Sequence, residues 1–399
     1  MKRRSPLLAI YLVVLIDAMG FTMVYPLLPF YAEELGATAL QATALVSVYA
    51  VCSMIATPVL GRMSDRYGRR RLLVISQAGT LAGFLAMAFA NHLWMLYLGR
   101  VLDGLTAGNV SVAQAYISDH TRAEARAKAF GMIGIAFGIG YLVAPVAAAW
   151  LSTATGEVGT PFLVAAGLSA ISMLCSRTLL SDSKVIPAVR PVSRSRSSYL
   201  AYLRRPKLRA LYLQYFMFAF AYSAFTSGFA LFAERRLVTA DGAPWTPHEV
   251  AYVFAYSGVL GIVFQSGVLG WLVRTLGEAR LALVAFAAAS IAYVTLGFTY
   301  GVVVLVVVYT LTTLANVVLR PVITSQMTMV VERAEQGVTL GIAASLLSLA
   351  NAVAPLCGGR LLDHRWTLAW AVLAGGATFA GFLIAVASRP RAASRGVNP

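Results

Sequence analysis

Long apolar runs separated by short polar segments make up the chain from residue 7 to residue 388. Each run has roughly 20 residues, which at about 1.5 Å of rise per residue matches the ~30 Å hydrocarbon core of a bilayer. The pattern therefore predicts an all-α membrane protein with twelve transmembrane helices. The predicted helices lie near residues 7–30, 42–60, 72–90, 93–117, 129–151, 161–180, 208–233, 250–273, 280–298, 301–327, 337–359 and 366–388.

Lys and Arg are concentrated in alternate loops between these runs. They cluster in the first four residues, in the loop 61–71, at 122–128 and in the long loop 181–207. The loops predicted on the opposite side of the membrane hold only Arg235, Arg236, Arg360 and Arg365. Because cytoplasmic loops carry the excess of Lys and Arg, both termini are predicted to be cytoplasmic in a multi-pass protein of the inner (plasma) membrane.

The Ser-, Arg- and Pro-rich segment 181–207 divides the predicted helices six from six and has the composition of a flexible linker. The predicted domains are an N-terminal six-helix bundle (1–180), this cytoplasmic linker, a C-terminal six-helix bundle (208–388) and a cytoplasmic tail (389–399). The bundles show weak internal similarity, since Gly68 and Gly277 are 209 residues apart and Pro145 and Pro355 are 210 apart. Parallel repeats of this kind predict two pseudo-symmetric bundles.

The composition agrees with a membrane protein and argues against several other classes. The 399 residues are 59% hydrophobic and only 12% charged, about half the charged fraction of a soluble domain. The net charge of +16 requires no nucleic-acid partner, because the alternating loops account for it. Cys52, Cys175 and Cys357 lie in apolar runs, so neither a disulfide nor a metal site is predicted. Without a phosphate-binding loop or a nucleophile elbow, we predict neither an enzyme nor a cofactor.

The densest run of charge is the segment 61–71, Gly-Arg-Met-Ser-Asp-Arg-Tyr-Gly-Arg-Arg-Arg. One interpretation is a plain positive-inside loop. The pattern Gly-x-x-x-Asp-Arg-x-Gly-Arg-Arg also resembles the signature between helices 2 and 3 of major facilitator superfamily transporters. In that family the loop is a latch that holds the cytoplasmic helix ends together in one transport state. The resemblance assigns this role to Gly61, Asp65, Arg66, Gly68 and Arg69, and extends it to Asp119 and Arg126 at the inner ends of helices 4 and 5.

Further motifs resemble tetracycline/proton antiporters and related drug exporters over nearly the whole chain. They are Asp17-Ala-Met-Gly with Pro26-Leu-Leu-Pro29, Leu93-Trp-Met-Leu-Tyr-Leu-Gly-Arg100 and Phe264-Gln265. Arg100-x-x-x-Gly104-x-x-x-Gly108 is similar to the family's second signature, whose arginine is associated with proton transfer. Helix 5 carries a variant of the antiporter signature, formed by Gly134, Gly138, Gly140, Ala144 and Pro145. Close helix packing with no effect on coupling is an equal alternative for this motif.

The resemblance fails at two membrane-embedded carboxylates that tetracycline exporters carry in helices 3 and 9. Gly83 and Ala289 occupy the corresponding positions, and neither helix has an acid nearby. Recognition of a metal-chelated tetracycline is therefore not predicted.

Four charged residues lie within the predicted helices: Asp17, Arg100, Asp103 and Arg320. A charge at mid-bilayer costs at least about 2.5–3.5 kcal/mol unless it faces the bundle interior, so these residues are candidates for function. Asp17, Arg100 and Asp103 are the predicted proton-coupling residues, and the alternative is that Arg100 and Asp103 at i, i+3 form a static ion pair that anchors helix 4. Arg320 could attract an anionic substrate group or snorkel towards the cytoplasm, and snorkelling is slightly favoured.

Polar and aromatic residues of the central helices are the predicted substrate contacts. Aromatic residues with an amide on helix 7 would suit a mostly apolar ligand, although an aromatic stripe facing lipid or another helix is at least as common. The predicted set is Asn109, Gln114, Gln214, Phe218, Tyr222, Phe225, Gln265, Asn316 and Arg320.

The function expected from these observations is proton-coupled secondary active export of small, partly hydrophobic molecules such as drugs, by alternating access. The expected partners are the substrate, protons and the lipid bilayer, without nucleic acid, and we expect a monomer. A facilitator or importer of a metabolite or lipid-like substrate in the same fold is the main alternative. A non-transporting membrane receptor is a weaker one.

Overall fold

The computed structural model of the chain describes residues 6–121, 126–181, 202, 204–239, 241–332 and 335–388. Most of the predicted linker 181–207 and the predicted tail 389–399 lie outside the described residues. The helices are α1 (Pro6–Val24), α2 (Leu28–Glu34), α3 (Ala39–Tyr67), α4 (Arg69–Ala88), α5 (Leu93–Leu105), α6 (Asn109–Asp119), α7 (Arg126–Thr155), α8 (Thr160–Leu179), α9 (Pro206–Arg236), α10 (Pro247–Val263), α11 (Leu269–Leu276), α12 (Glu278–Leu296), α13 (Val302–Met329), α14 (Gln336–Asp363) and α15 (Thr367–Ala387). A π-helical turn, Phe264–Val268, joins α10 to α11.

Eleven helical segments within the described residues are long and apolar enough to cross a membrane, with α10 to α11 counted as one. The remaining predicted segment, 93–117, is occupied by the shorter helices α5 and α6. Both of these pack against α3 and α4, so we interpret them as one broken crossing. The all-α membrane fold is confirmed, and twelve crossings are consistent with it.

Two predicted helices are not continuous. The predicted helix 7–30 ends at Val24, and the separate helix α2 begins at Leu28. Pro26 lacks an N–H and disfavours helical backbone at the residue before it, which accounts for the interruption. The predicted helix 93–117 is broken at residues 106–108, between α5 and α6.

The two halves repeat the same helix pattern. Arg69 and Glu278, which begin α4 and α12, are 209 residues apart, and so are Leu93 and Val302, which begin α5 and α13. Gly68 and Gly277, at the same offset, both have positive φ values, 96° and 73°. Glycine adopts this backbone at little cost, which explains why both turns keep it. The counterpart of α5 and α6 in the second half is α13, which is continuous. The break between α5 and α6 is therefore a feature of the first half alone.

The halves meet along two helix pairs, α3 with α14 and α7 with α10. We call the end of the bundle that carries residues 61–71 the latch end, and the other the opposite end. Polar contacts between described residues of the two halves lie towards the opposite end. Arg235 Nη2 is 2.6 Å from Glu33 Oε1, the Leu40 N–H donates to Asp363 Oδ1 at 3.0 Å, and the hydroxyls of Tyr25 and Thr226 are 3.4 Å apart.

Candidate functional site

A cavity of ≈ 410 Å³ lies inside the bundle, mainly in the first half and closed on one side by α13 and α14. This volume suits a drug-sized molecule. The polar and charged residues in its wall are Asp17, Tyr49, Ser53, Thr57, Thr80, Asp103, Asn109, Ser111, Gln114, Ser169, Arg320 and Ser348. Apolar side chains fill the spaces between them, among them Phe21, Phe84, Phe137 and Leu347.

Arg100 and Asp103 form a buried ion pair on α5. Arg100 Nη1 is 3.2 Å from Asp103 Oδ2, and the two side chains are only 2% and 7% exposed. The Thr80 hydroxyl donates to Asp103 Oδ1 at 3.0 Å, and the Arg100 guanidinium lies 4.3 Å from the centre of the Tyr49 ring. Sequence reasoning found the pair but missed Thr80 and Tyr49. Thr80 could have been found from the sequence, because it is a polar residue inside an apolar run and lies one helical turn after Gln77.

Asp17 reaches the same cavity from α1. Gln77 donates one amide hydrogen to Asp17 Oδ2 at 3.3 Å and another to the Ser172 hydroxyl at 2.8 Å. Asp17 forms no ion pair with any described residue. It is therefore a carboxyl group held by neutral donors at the wall of the cavity, next to a charged pair that is already matched.

Arg320 reaches the cavity from α13, in the second half. It lies nine residues before Met329, which at 1.5 Å per residue is ~14 Å from the latch end of the helix. The other residues of the cavity wall come mainly from the first half, so Arg320 lies where the two halves face each other. Within the described chain Arg320 forms no ion pair. Arg320 is exposed on the cavity wall, and both anion binding and snorkelling stay predictions.

The break between α5 and α6 lies beside these charges. Gly104 and Gly108 flank it, and a Cβ on either would come within 3.0 Å of atoms of α3 or α4. The Ala107 carbonyl, which lies between the two helices, accepts a hydrogen bond from the Thr57 hydroxyl at 3.1 Å. Non-helical backbone is tolerated at membrane depth where it lines a cavity and its polar groups are satisfied. Asn109 and Gln114, both predicted contacts, line the cavity from α6.

The missing carboxylate at Gly83 has a steric explanation. A Cβ at this position would lie 2.7 Å from the Gly99 carbonyl oxygen and 3.1 Å from the Asp103 Cβ. A side chain here would therefore require α4 and α5 to move apart. Ala289, the second such position, is buried on α12. Asp103 thus lies directly beside Gly83 and contributes its carboxyl group to the cavity wall.

The other six predicted substrate contacts are not among the residues that line this cavity. Gln214 donates to the Ser388 hydroxyl at 3.4 Å, and Asn316 donates to the Tyr293 hydroxyl at 3.3 Å. Phe218 and Phe225 are buried in the core of the second half, where Phe225 packs against Tyr293, Tyr309 and Trp370. Tyr222 stacks on Phe218 and lies near Arg320. Gln265 lies against Gly134, where α7 meets the π-helical turn. Substrate contact by these residues stays a prediction.

The glycine motif of α7 lies at two helix interfaces. A Cβ on Gly140 would come 3.2 Å from the Ala18 backbone of α1, and one on Gly138 would come 2.6 Å from Ile262 of α10. Ala144 is fully buried, and Pro145 lies inside the helix. Small residues here let α7 approach both its own half and the other half closely.

The latch residues cluster within the first half. Asp65 Oδ1 is 2.5 Å from Arg69 Nη1, and Arg69 Nε is 3.1 Å from Asp119 Oδ2. These contacts tie the ends of α3, α4 and α6 together. Arg66 lies over the Tyr67 ring, 5.4 Å from its centre, while Gly61 has open space around it. The side chain of Arg126 lies outside the described residues.

No group of three or more His, Cys, Asp and Glu residues in the described chain could hold a metal ion. The arrangement offers two carboxyl groups that can exchange protons, one cation without a counter-charge, and an apolar wall. These groups can bind and reorient a small molecule.

Comparisons with known proteins agree with this architecture. A sequence profile described as Major Facilitator Superfamily matches residues 10–311. Tetracycline resistance protein, class B, of Escherichia coli is 30% identical over 363 residues, covering 88% of this chain and 87% of that protein. Multidrug resistance protein 2 of Bacillus subtilis (strain 168) is 26% identical over 352 residues, covering 86% of each. The crystal structure of the human organic anion transporter MFSD10 (TETRAN) matches with a TM-score of 0.71 at 20% identity, over 96% of this chain and 100% of that one.

Proposed function

The chain belongs to the Major Facilitator Superfamily, and on that premise we propose that it is a proton-coupled exporter of small, partly hydrophobic molecules such as drugs. The observation that carries this proposal is the cavity between the two halves, which combines a drug-sized volume, apolar walls and two carboxyl groups. The relatives named for tetracycline and multidrug resistance support drug-like substrates. Because Gly83 and Ala289 carry no carboxylate, we do not extend the proposal to metal-chelated tetracycline.

Export requires an orientation, which the distribution of basic residues supplies. The arginine-rich latch end would face the cytoplasm, together with both termini, in the inner membrane. The polar contacts that join described residues of the two halves lie at the opposite end, so this conformation would be closed to the outside. Substrate would enter from the cytoplasmic side, and rocking of the halves would then open the opposite end. A monomer contains the whole cavity, and we expect a monomer to be sufficient.

Proton coupling would use the two cavity carboxyl groups. Protonation of Asp103 removes the charge that Arg100 pairs with, which frees the guanidinium to change partners. Asp17 lacks a cationic partner, so its protonation changes the net charge that a ligand meets. A change of this kind links proton binding to substrate binding by ordinary electrostatics.

Reconstitution into liposomes tests the function. Vesicles with an acidic interior in neutral buffer should accumulate a fluorescent drug against its gradient, and we suggest cationic ethidium and zwitterionic norfloxacin. Asp103→Asn should abolish this accumulation, because the residue can no longer exchange a proton, while downhill drug exchange without a pH gradient persists. Equal accumulation by Asp103→Asn and wild type would refute the role of Asp103. Downhill movement alone in the wild type would indicate a facilitator, and accumulation only under the reversed gradient would indicate an importer.

A further inference from the structure

The charges around the cavity are not all matched within the protein. Asp103 is paired with Arg100, so this carboxylate and guanidinium compensate each other. Asp17 and Arg320 form no ion pair with each other or with any other residue that the structure describes. The cavity therefore presents one carboxyl group and one guanidinium without counter-charges.

These two groups come from different halves of the protein. Asp17 lies on α1 of the first half, and Arg320 lies on α13 of the second half. The side chains of Phe21, Phe84 and Phe137 also line the cavity, and they are apolar and aromatic. The wall thus offers a negative site, a positive site and an apolar surface in one chamber.

We propose that this cavity binds zwitterionic amphiphiles, with the cationic group at Asp17, the anionic group at Arg320 and an aromatic or aliphatic body against the apolar wall. The proposal rests on the proposed function, because it takes this cavity to be the transport site. It names the substrate class that the charge arrangement selects.

A singly charged ligand fits this arrangement less well than a zwitterion. It would match either Asp17 or Arg320 and leave the other without a partner, which costs free energy wherever the bound ligand shields that group from water. A zwitterion matches both and leaves no net charge to carry across the membrane interior. Specificity then arises from the penalty on wrong ligands as much as from attraction to the right ones.

The arrangement also explains how a proton could displace the ligand. A proton and the cationic group of the ligand would compete for Asp17, so binding of one weakens binding of the other. The polar and charged groups that face Asp17 are Gln77 of α4, Ser172 of α8 and Asp103 of α5. Among these only Asp103 carries charge, and Arg100 balances it. Antiport requires that proton binding and ligand binding oppose each other, and competition at Asp17 would supply this coupling.

Four probes with one rigid body test the proposal. They are 4′-(aminomethyl)biphenyl-4-carboxylic acid, its N-acetyl derivative, its methyl ester and the doubly blocked compound, titrated calorimetrically into the purified full-length protein at neutral pH. The free amino acid should bind about 10–100-fold more tightly than either singly blocked probe, as expected for one charge-assisted hydrogen bond each. This comparison needs no variant and no proton gradient, so it is independent of the transport assay.

Variants assign each end of the probe. Arg320→Gln should weaken the two probes with a free carboxylate by about 10–100-fold and leave the methyl ester unchanged. Asp17→Asn should weaken the two probes with a free amine, and Arg320→Lys should retain most of the affinity for the carboxylate. Arg360→Gln, which removes an exposed arginine of α14 outside this cavity, is the matched control and should change nothing.

Three results would each overturn the proposal. The first is that the N-acetyl probe binds as tightly as the free amino acid and Asp17→Asn has no effect, which would make the site a simple anion site. The second is an equal loss of the acid and ester probes in Arg320→Gln. The third is that the wild-type protein binds none of the four probes. Proton-driven drug accumulation in liposomes could persist in each case, so failure here is distinct from failure of the proposed function.

Discussion

Gly359 offers a way to force the two halves apart at the opposite end. It lies on α14, one turn before the end of the helix, and faces the first turn of α3. A Cβ at this position would lie 2.9 Å from the Leu40 Cα and 3.0 Å from the Ala39 carbonyl oxygen, and it would overlap the Thr43 hydroxyl. The hydroxyl can rotate, but the backbone atoms cannot move without shifting α3. Gly359→Ala should therefore destabilise the conformation that is closed at this end.

The magnitude follows from the cost of overpacking a close contact, which is typically about 1–3 kcal/mol. If the strain is released when the opposite end opens, the ratio of open to closed molecules should rise by roughly 5–150-fold. Replacing Gly by Ala inside a helix also adds about 0.8–1.0 kcal/mol of helix propensity. Gly341→Ala is the matched control, because Gly341 lies on the same helix with no atom within 4 Å of its added Cβ.

Distance measurements between spin labels report the opening. Labels on Glu157→Cys and Asp241→Cys, in a background without the three native cysteines, would lie on exposed loops of the two halves at the opposite end. The Gly359→Ala variant should gain a population with a longer label separation, and Gly341→Ala should match the parent protein. Identical distance distributions in both glycine variants, with normal thermal stability, would refute the argument that the α3–α14 contact holds this end closed.

Two further predictions concern charges at the two ends of the bundle. Asp65→Asn should impair transport but leave membrane insertion and folding nearly intact. The substitution removes one half-exposed ion pair with Arg69 and does not disturb core packing. Wild-type transport rates in a well-inserted Asp65→Asn protein would exclude a latch role. Burial, aided by the neighbouring Glu234 carboxylate and opposed by Arg235, raises the pKa of Glu33 from 4.5 to about 7 in the closed conformation. We expect opening to return this pKa towards its ordinary value, so that protonated Glu33 stabilises the closed conformation. This stabilisation is complete below about pH 4.5 and is lost as the pH rises through about 7. The open population of the labelled protein should therefore increase across this range, and Glu33→Gln should abolish that dependence; an unchanged dependence in the variant would assign it to another group.

Most membrane-crossing segments and the repeat between the halves could be predicted from the sequence, because these depend on local properties. A bilayer imposes a minimum apolar length on each crossing, and glycine at 68 and 277 permits the same positive-φ turn in each half. The membrane-embedded charges could also be found, because a charged residue in an apolar run stands out whatever its surroundings. Even the pair formed by Arg100 and Asp103 follows from their spacing on one helix.

The direction in which each side chain points was decided only by the tertiary structure. In a membrane the lipid-facing surface of a helix is as apolar as its buried surface, so the hydrophobic pattern does not mark the interior. Phe225 and Arg320 are both plausible cavity residues by sequence, yet Phe225 is buried among aromatic side chains of its own half and Arg320 lines the cavity. The break at residues 106–108 likewise depends on contacts with α3 and α4. There the Thr57 hydroxyl donates a hydrogen bond to the Ala107 carbonyl, which would be bonded within the helix if the helix were continuous. Helices arise from local composition, whereas the site arises from which residues of distant segments face each other.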